Sequence, residues 1–202
     1  MMRLLLAADP RCCNDPSNTG RTPLITAARH NNVEVLKLLL DAGSMGLDHQ
    51  DSCGLTALHS AVVGASVAGV EALLAAGAAP RMTDNLNRGV LHMAASAGGE
   101  DQEIFRSTIS DADAILTRFL TRFLSLPGAA GANTVDGAGL TPLHHAAITN
   151  RPSAAAILID YGANVELEDD KGRSAMVYAC DFKRASIVAL LSEARTAGPK
   201  PD

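Results

Sequence analysis

A seven-residue pattern recurs along this chain and restricts its fold more than any other feature of the sequence. The clearest copy begins at Thr141, related copies begin at Thr22 and Thr56, and weaker copies begin at Gly89 and Ser174. The starting positions are separated by 34, 33, 52 and 33 residues (56 − 22, 89 − 56, 141 − 89 and 174 − 141). A unit of this length cannot bury its own apolar face, so successive copies are expected to pack against one another.

Each clear copy predicts a short inner helix followed by an outer helix. In the first copy, Thr22 occupies the N-cap position and Pro23 the first helical position, where a missing N–H costs nothing. The inner helix is predicted to run to about His30. The outer helix is predicted over 33–40 and ends near Gly43, because glycine tolerates the left-handed conformation that closes a helix.

The heptapeptide and the period near 33 residues resemble the ankyrin repeat family. The resemblance implies an all-α fold, an ankyrin repeat solenoid of stacked helix-turn-helix pairs joined by short β-turn or hairpin loops. It predicts a single ankyrin domain over 1–195, followed by a flexible tail at 196–202. Its units are expected to be a partial repeat at 1–15 and repeats at about 18–50, 51–83, 84–135, 136–168 and 169–195.

The first and last segments of the chain carry further expectations. The apolar run Leu4-Leu5-Leu6 matches the end of an outer helix, so the chain begins inside a half-repeat. This segment is either a natural minimal cap or the start of a piece cut from a longer array, and its apolar character favours the second interpretation. The last outer helix is predicted over 185–191.

The third repeat carries the extra residues, which we place mainly in an insertion at 99–110. A helix with an apolar stripe follows, and its Phe119 and Phe123 are predicted to fill space between repeats three and four. Phe105 has no repeat position that would bury it. It either folds back onto the outer helix or contacts a partner, because insertions in repeat arrays map to one face and are often used for binding.

Composition and charge exclude several classes of function. The formal net charge is −5 and there is no run of lysine and arginine, which argues against direct nucleic-acid binding. No apolar stretch approaches the roughly 18 residues that a membrane helix needs, so no membrane insertion is expected. Four cysteines without a C-x-x-C pair indicate reduced thiols and a cytoplasmic or nuclear location, or both.

The sequence offers no candidate reaction centre. His59, His92 and His144 occupy the same place in three repeats, and the resemblance implies that this histidine is structural. Phosphate-loop, nucleophile-elbow and H-E-x-x-H motifs are absent from the sequence. The acidic run at 166–170 is interpreted as a solvated turn. We therefore expect no enzyme activity, no metal, no cofactor and no small-molecule substrate.

The resemblance implies that a partner binds the turn tips and the exposed side of the inner helices, which line one concave face. The hypothesis is a protein or peptide partner lying across repeats two to four, with Arg21, Arg29 and Arg88 meeting acidic groups. The alternative is that these side chains pack against adjacent turns. The candidate contact residues are Arg21, Arg29, His30, Leu55, Val63, Leu86, Arg88, Leu140, Ile148 and Arg173, with Phe105 of the insertion.

The predicted function is non-enzymatic protein–protein recognition inside the cell. Such a module could belong to a transcription regulator, a signalling scaffold or a substrate-recruiting subunit. The main alternative is a regulatory or docking ankyrin segment of a larger multidomain enzyme, channel or transcription regulator, and a purely structural spacer is a third. The full-length reading frame and a search for captured partners would discriminate among these alternatives.

Overall fold

The structure is a computed structural model that describes residues 15–42, 46–96, 117, 119–121, 123–125 and 131–197. Within these ranges the chain forms helices and turns, and an isolated antiparallel bridge joins Glu168 and Ser174. The chain divides into two compact units, Met1–Asn85 and Leu86–Asp202. The partial repeat predicted at 1–15, apart from its last residue, lies outside the described residues.

The first unit contains two helix pairs, each beginning at a side-chain cap. The pairs are α1 (Pro23–Arg29) with α2 (Val33–Asp41), and α3 (Ala57–Val63) with α4 (Val67–Ala75). The N-cap side chains of Thr22, Asn32, Thr56 and Ser66 each accept a hydrogen bond from a backbone N–H of the first turn, which satisfies a donor that the helix leaves unpaired.

Leucine and alanine side chains fill the interior between these helices. Inner helix α1 packs against inner helix α3, and outer helix α2 packs against α4. The approach of α1 to the end of α3 is close, since a Cβ at Gly64 would lie 2.4 Å from the carbonyl oxygen of Arg29. The largest fully buried side chains of this unit are Leu24, Ile25, Leu36, Leu39, Leu58 and Leu73.

The second unit continues the same pattern. Its helices are α5 (Val90–Ser96), α6 (Pro142–Ile148), α7 (Pro152–Asp160), α8 (Ala175–Asp181) and α9 (Ala185–Ala197). Inner helix α6 packs between α5 and α8, while outer helix α7 packs against α6 and α9. Helix α9 is longer than the predicted 185–191, because the sequence after Leu191 continues with good helix formers such as Ala194 and Arg195.

The insertion does not separate the third repeat from the fourth. The backbone N–H of Gly137 donates to the Leu86 carbonyl at 2.8 Å, and α5 packs directly on α6. Helical residues occur between 117 and 124, and Phe119 and Phe123 among them are buried, with ring centroids 5.5 Å apart. Their burial confirms the core role predicted for them. Residues 97–116, with Phe105, and 198–202 lie outside the described residues.

Candidate partner-binding surface

A buried aspartate organises the turn that precedes an inner helix. The Asp136 Oδ1 atom accepts hydrogen bonds from the backbone N–H groups of Ala138 at 2.9 Å and Leu140 at 3.0 Å. Asp51 does the same for the N–H groups of Cys53 and Leu55, both at 2.9 Å. Such a carboxylate fixes the path of the turn, because a charge-assisted hydrogen bond to a backbone N–H is strong.

The turn of the fifth repeat follows the same plan. The Asp169 Oδ1 atom accepts from the N–H groups of Lys171 and Arg173, both at 2.9 Å. Asp169 is buried, so its interpretation as part of a solvated turn was wrong, whereas Glu166, Glu168 and Asp170 are exposed as expected. We call Asp51, Asp136 and Asp169 the turn carboxylates.

Each turn carboxylate uses its second oxygen for a different partner. The Arg21 Nε atom donates to Asp51 Oδ2 at 3.2 Å, and His145 Nε2 lies 2.8 Å from Asp136 Oδ2. Asp169 Oδ2 accepts from the Tyr178 hydroxyl at 2.6 Å and from Arg173 at 3.3 Å. The three turns therefore share one backbone geometry and differ in the group that balances the carboxylate.

The pKa values of two turn carboxylates lie below the ordinary range of an aspartate. Burial acts to raise the pKa of Asp136, but the hydrogen bond with His145 and those from the Ala138 and Leu140 amides outweigh it. Burial also acts to raise the pKa of Asp169, and the Tyr178 hydroxyl and the backbone amides lower it well below the usual value. Both side chains therefore stay ionised at neutral pH.

Neighbouring turns are joined along the chain by backbone hydrogen bonds. In the first unit, the Ser52 N–H donates to the Thr19 carbonyl at 3.0 Å. In the second, the Asp170 N–H donates to the Ala138 carbonyl at 3.2 Å. Gly139 allows this approach, since its φ is +76° and an added Cβ would lie 2.7 Å from the Asp170 nitrogen. These bonds hold the turn tips as rigid supports.

The recurrent histidines are structural, as the resemblance implied. The N–H of Gly89 donates to His92 Nδ1 at 3.1 Å, so His92 carries its hydrogen on Nε2. That Nε2 atom lies 3.1 Å from the Thr134 carbonyl and 3.2 Å from the Leu140 carbonyl. His144 caps its own helix through Nδ1 and reaches the Arg173 carbonyl at 3.1 Å. His92 and His144 therefore each join their own repeat to the next.

These two histidines are held neutral by their surroundings. Burial, followed by the nearby His145 imidazole, lowers the pKa of His92 to about 4. Burial also lowers the pKa of His144, and hydrogen bonding to the Arg173 carbonyl opposes that shift. Both act as neutral hydrogen-bonding groups near pH 7. Within the described part of the chain, no three histidine, cysteine or acidic side chains are placed to hold a metal ion.

The candidate contacts of the first unit lie at its turn tips and inner-helix ends. Arg21 is partly exposed and already paired with Asp51, so its charge is balanced within the chain. Arg29 is half-buried at the end of α1, and His30 after it is exposed. Leu55 and Val63 are half-buried. This unit therefore presents cationic groups beside modest apolar surface.

The candidate contacts of the second unit include more exposed apolar surface. Leu86 is 61% exposed at a turn tip, and its carbonyl bonds the Gly137 N–H of the turn that carries Leu140. Leu140, Ile148 and Arg88 are half-buried. The structure thus places the Leu86 backbone beside the turn of Leu140, whereas Phe105 is outside the described residues.

An aromatic stack at the end of α8 extends this surface. The rings of Tyr178 and Phe182 stack with centroids 6.4 Å apart and an interplanar angle of 10°. The Arg173 guanidinium lies over the Tyr178 ring, with Cζ 4.3 Å from its centroid, while also bonding Asp169. Phe182 itself is 48% exposed. Arg173 therefore supports the stack more than it offers a free charge.

The turn carboxylates escaped the sequence analysis although a signal for them exists. Aspartates at 51, 84, 136 and 169 each precede the start of a heptapeptide copy by five residues (56 − 51, 89 − 84, 141 − 136 and 174 − 169). Asp84 is buried like the other three. In the first repeat Ser17 has this position, and its hydroxyl accepts from the Arg21 N–H at 3.2 Å.

The chain belongs to the ankyrin repeat family. A family model described as ankyrin repeats (3 copies) matches residues 1–84 and 91–201. Ankyrin repeats are protein-interaction modules, which sets the coarse class of function. Each helix in the described ranges is too short or too polar to cross a bilayer.

Curated relatives share the repeats at moderate identity. The probable 26S proteasome regulatory subunit p28 of Saccharomyces cerevisiae is 32% identical over 162 residues, covering 79% of this chain and 63% of the relative. Neurogenic locus notch homolog protein 2 of Homo sapiens is 30% identical, covering 71% and 6%. The B-cell lymphoma 3 protein homolog of Mus musculus is 27% identical, covering 92% and 39%. The chain thus spans less than two thirds of each of these relatives.

Proposed function

We propose that this protein binds a partner protein or peptide through the turn tips and inner-helix ends of its second unit. One observation carries the proposal. The large apolar side chains that are exposed among the described residues all fall in the second unit. They are Leu86, Val135, Tyr161, Val177 and Phe182. Leu86 and Phe182 among them lie at a turn tip and at an inner-helix end, which are the positions that the proposal assigns to the partner.

Two of these side chains lie where a partner could use them as anchors. Leu86 projects from a turn that is bonded to the next turn, and Phe182 caps α8 and stacks on a buried tyrosine. Rigid apolar and aromatic anchors lose little conformational entropy on binding, so they contribute most of the affinity in many interfaces. Leu140 and Ile148, half-buried on the intervening repeat, supply the surrounding apolar contact.

Charged side chains give the proposed surface its polar rim. Arg88 stands two residues from Leu86, and Lys171 and Lys183 are exposed near the aromatic stack. We propose that acidic groups of the partner meet Arg88, while Arg173 holds the stack in place. In the first unit, Arg29 and His30 with Val63 and Leu55 form a second candidate contact, and Arg21 orients its turn through Asp51.

Affinity capture from a native lysate tests the proposal. The double variant Leu86→Asp and Leu140→Asp is expected to lose the captured protein. Tyr161→Asp provides the matched control, because Tyr161 is also exposed but caps outer helix α7. Retention of the captured protein by the double variant, with an unchanged helical circular dichroism spectrum, would contradict the proposed surface.

The insertion is tested in parallel. Deletion of residues 100–109 removes Phe105, and a weaker capture by this variant would support the insertion as a second contact. Undiminished capture would assign Phe105 no role in binding. The outcome is independent of the double variant, so the two candidate contacts are assessed separately.

The proposed role is non-enzymatic, without a cofactor or a small-molecule substrate, and places the protein in the cytoplasm, the nucleus or both. A second candidate is a docking or regulatory segment of a larger protein. It is favoured by the notch relatives, in which the matched region is 6% of the chain. The transcript that encodes this sequence, read to both ends of its open reading frame, would separate the two.

A further inference from the structure

The three turn carboxylates form a natural comparison within one molecule. Each binds two backbone N–H groups through Oδ1, at distances of 2.9 to 3.0 Å. Asp51 and Asp169 are each paired with an arginine, which keeps its charge at every physiological pH. Asp136 is paired with His145 instead. An imidazole changes its charge between about pH 5 and 8.

We propose that the Asp136–His145 pair makes the fourth-repeat turn tighten as the pH falls from about 8 to about 6, while the Asp51 and Asp169 turns stay unchanged. Because Asp136 is already ionised, a charged imidazole would add the attraction of an ion pair to a hydrogen bond that the carboxylate already makes charge-assisted. The carboxylate that His145 balances is the one that holds the Leu140 and Ala138 amides. The charge on one imidazole is thereby transmitted to the backbone of the turn.

The inference rests on the proposed function in one respect, because Leu140 is a proposed contact residue. The turn holds Leu140 through both of its backbone polar groups. Its N–H is bonded to Asp136 Oδ1, and its carbonyl accepts from the Asp136 N–H at 3.0 Å. A tighter turn presents the Leu140 side chain in fewer conformations, so the affinity for a partner is expected to rise over the same pH range.

The ionisable surroundings of His145 are few among the described residues. His92 on α5 meets the His145 ring edge-on, with centroids 5.6 Å apart, and Asp136 lies on its other side. His144 precedes it on α6 and interacts in turn with Asp169. The charged residues next to or at the ends of the packed helices are Arg88 before α5, Arg151 and Asp160 at α7, and Arg173 and Asp181 at α8.

His92 sets the lower limit of the effect. Its pKa of about 4 keeps His92 neutral above about pH 5, so it does not repel a charged imidazole on His145 in that range. Below that, protonation of His92 Nδ1 removes the acceptor of the Gly89 N–H and places two like charges at 5.6 Å. The tightening is therefore confined to the range between about pH 8 and 5.

Amide hydrogen exchange measured by NMR tests the inference in the intact chain. The quantity is the protection factor of the Ala138 and Leu140 amides divided by that of the Cys53 and Leu55 amides. We expect this ratio to rise about fivefold from pH 8 to pH 6. A ratio that stays constant within about twofold would overturn the inference, since the Asp51 turn serves as the internal reference.

Two variants of His145 sharpen the test. His145→Gln keeps a neutral N–H donor and is expected to give a low ratio at both pH values. His145→Arg carries a permanent charge and is expected to give a high ratio at both. A rise with falling pH that survives in either variant would also overturn the inference. The wild-type measurement decides the matter alone should one variant fail to fold.

Partner capture is measured separately at the same two pH values. A fivefold rise in the protection ratio, together with undiminished capture by the Leu86→Asp and Leu140→Asp variant, would refute the proposed surface and leave the titrating turn intact. A constant protection ratio, together with loss of capture by that variant, would overturn the titrating turn and support the proposed surface. The two ideas therefore fail in different ways.

Discussion

Inner helices α6 and α8 begin at equivalent positions of the repeat, yet only α6 begins with a complete cap. The Thr141 hydroxyl accepts from the His144 N–H, and His144 Nδ1 accepts from the Thr141 N–H at 3.1 Å. Ser174 and Val177 take these positions in α8, and the Ser174 side chain makes no capping bond. His144 is buried, whereas Val177 is 39% exposed.

The difference shows that the recurrent motif performs two tasks. Threonine and histidine close the first turn of their own helix, and the far side of the imidazole binds the carbonyl of the following repeat. In the fifth repeat, Ser174 and Val177 replace the threonine and the histidine, and neither task is performed as it is in α6. The fold-forming residues of this motif, such as Ala175 and Ala179, remain buried.

The largest expected effect comes from the turn glycines of the fourth and fifth repeats. Both Gly139 and Gly172 have positive φ, but only Gly139 faces backbone atoms of the next turn, while the nearest atom to Gly172 is 3.8 Å away. We expect Gly139→Ala to destabilise the protein by roughly 3 to 4 kcal/mol and Gly172→Ala by about 1. Urea unfolding followed by circular dichroism measures both, and equal losses would show that the contact between turns matters little.

As the pH falls, the stabilising contributions of the buried histidines in the third and fourth repeats should be lost before that of the buried carboxylate in the fifth. His92 has a pKa of about 4 in the folded state and about 6.5 when unfolded, so its contribution is complete above pH 6.5 and is lost as the pH falls towards 4. We expect a loss of about 3 kcal/mol over this window, to which His144 adds in the same direction. The contribution of Asp169 is lost only below its unfolded pKa of about 3.8.

Unfolding free energies measured at intervals between pH 7 and 3 check this expectation. His92→Gln should reduce the fall between pH 6.5 and 4 to the part that comes from His144, and should leave the fall below pH 4 in place. A wild-type unfolding free energy that stays constant down to pH 4 would contradict the prediction that His92 and His144 stabilise the fold as buried neutral groups.

Replacing the histidine of α6 by the residue of α8 should make the two helix starts alike. His144→Val removes the bond to the Thr141 N–H and one of the two hydrogen bonds that the Arg173 carbonyl accepts, the other coming from the Asp169 N–H, so we expect a loss of about 2 kcal/mol. The reverse change, Val177→His, should alter stability by less than about 0.5 kcal/mol. Thermal unfolding compares the pair, and a similar cost for both changes would contradict the division of tasks.

The smallest expected effect concerns the capping hydroxyls. Thr141→Ala should cost about 1 kcal/mol, because a cap is lost from α6. Ser174→Ala should cost little, because the Ser174 side chain makes no capping bond. Urea midpoints at pH 7 suffice for this comparison, and a loss at Ser174 as large as that at Thr141 would show that the uncapped geometry of α8 is not maintained in solution.

Much of the fold could be predicted from the spacing of the motif. The starts of α1, α3 and α6 follow from a capping residue at Thr22, Thr56 and Thr141, since N-cap chemistry is local, and the start of α8 follows from the spacing of the motif. The continuation of α9 to Ala197 was missed, although Gly198 and Pro199, which follow it directly in the sequence, are residue types that commonly close a helix. The sequence predicted the packing of the third repeat on the fourth only by analogy with the other repeats. The hydrogen bond from the Gly137 N–H to the Leu86 carbonyl shows this packing directly.

The candidate surface was less predictable than the fold. Arg21 and Arg173 occupy equivalent turn positions and are both paired with aspartates, whereas Leu86, two residues before the equivalent Arg88, is largely exposed. Exposure depends on which side chain lies opposite in space: Arg21 meets Asp51, 30 positions away, and Arg173 meets Asp169 in its own turn. The contact roles assigned to these residues stay predictions that the capture experiments test.

The sequence by itself determined that this protein is a stack of paired helices, because the period, the caps and the turn glycines are all encoded within a few neighbouring residues. Only the tertiary structure decided which groups balance the buried carboxylates: an arginine for Asp51, an imidazole for Asp136, and a tyrosine with an arginine for Asp169. Charge pairing acts through space over a few ångströms, so it depends on where the fold places the partner, whether that residue is 30 positions away, as Arg21 is from Asp51, or 9, as His145 is from Asp136.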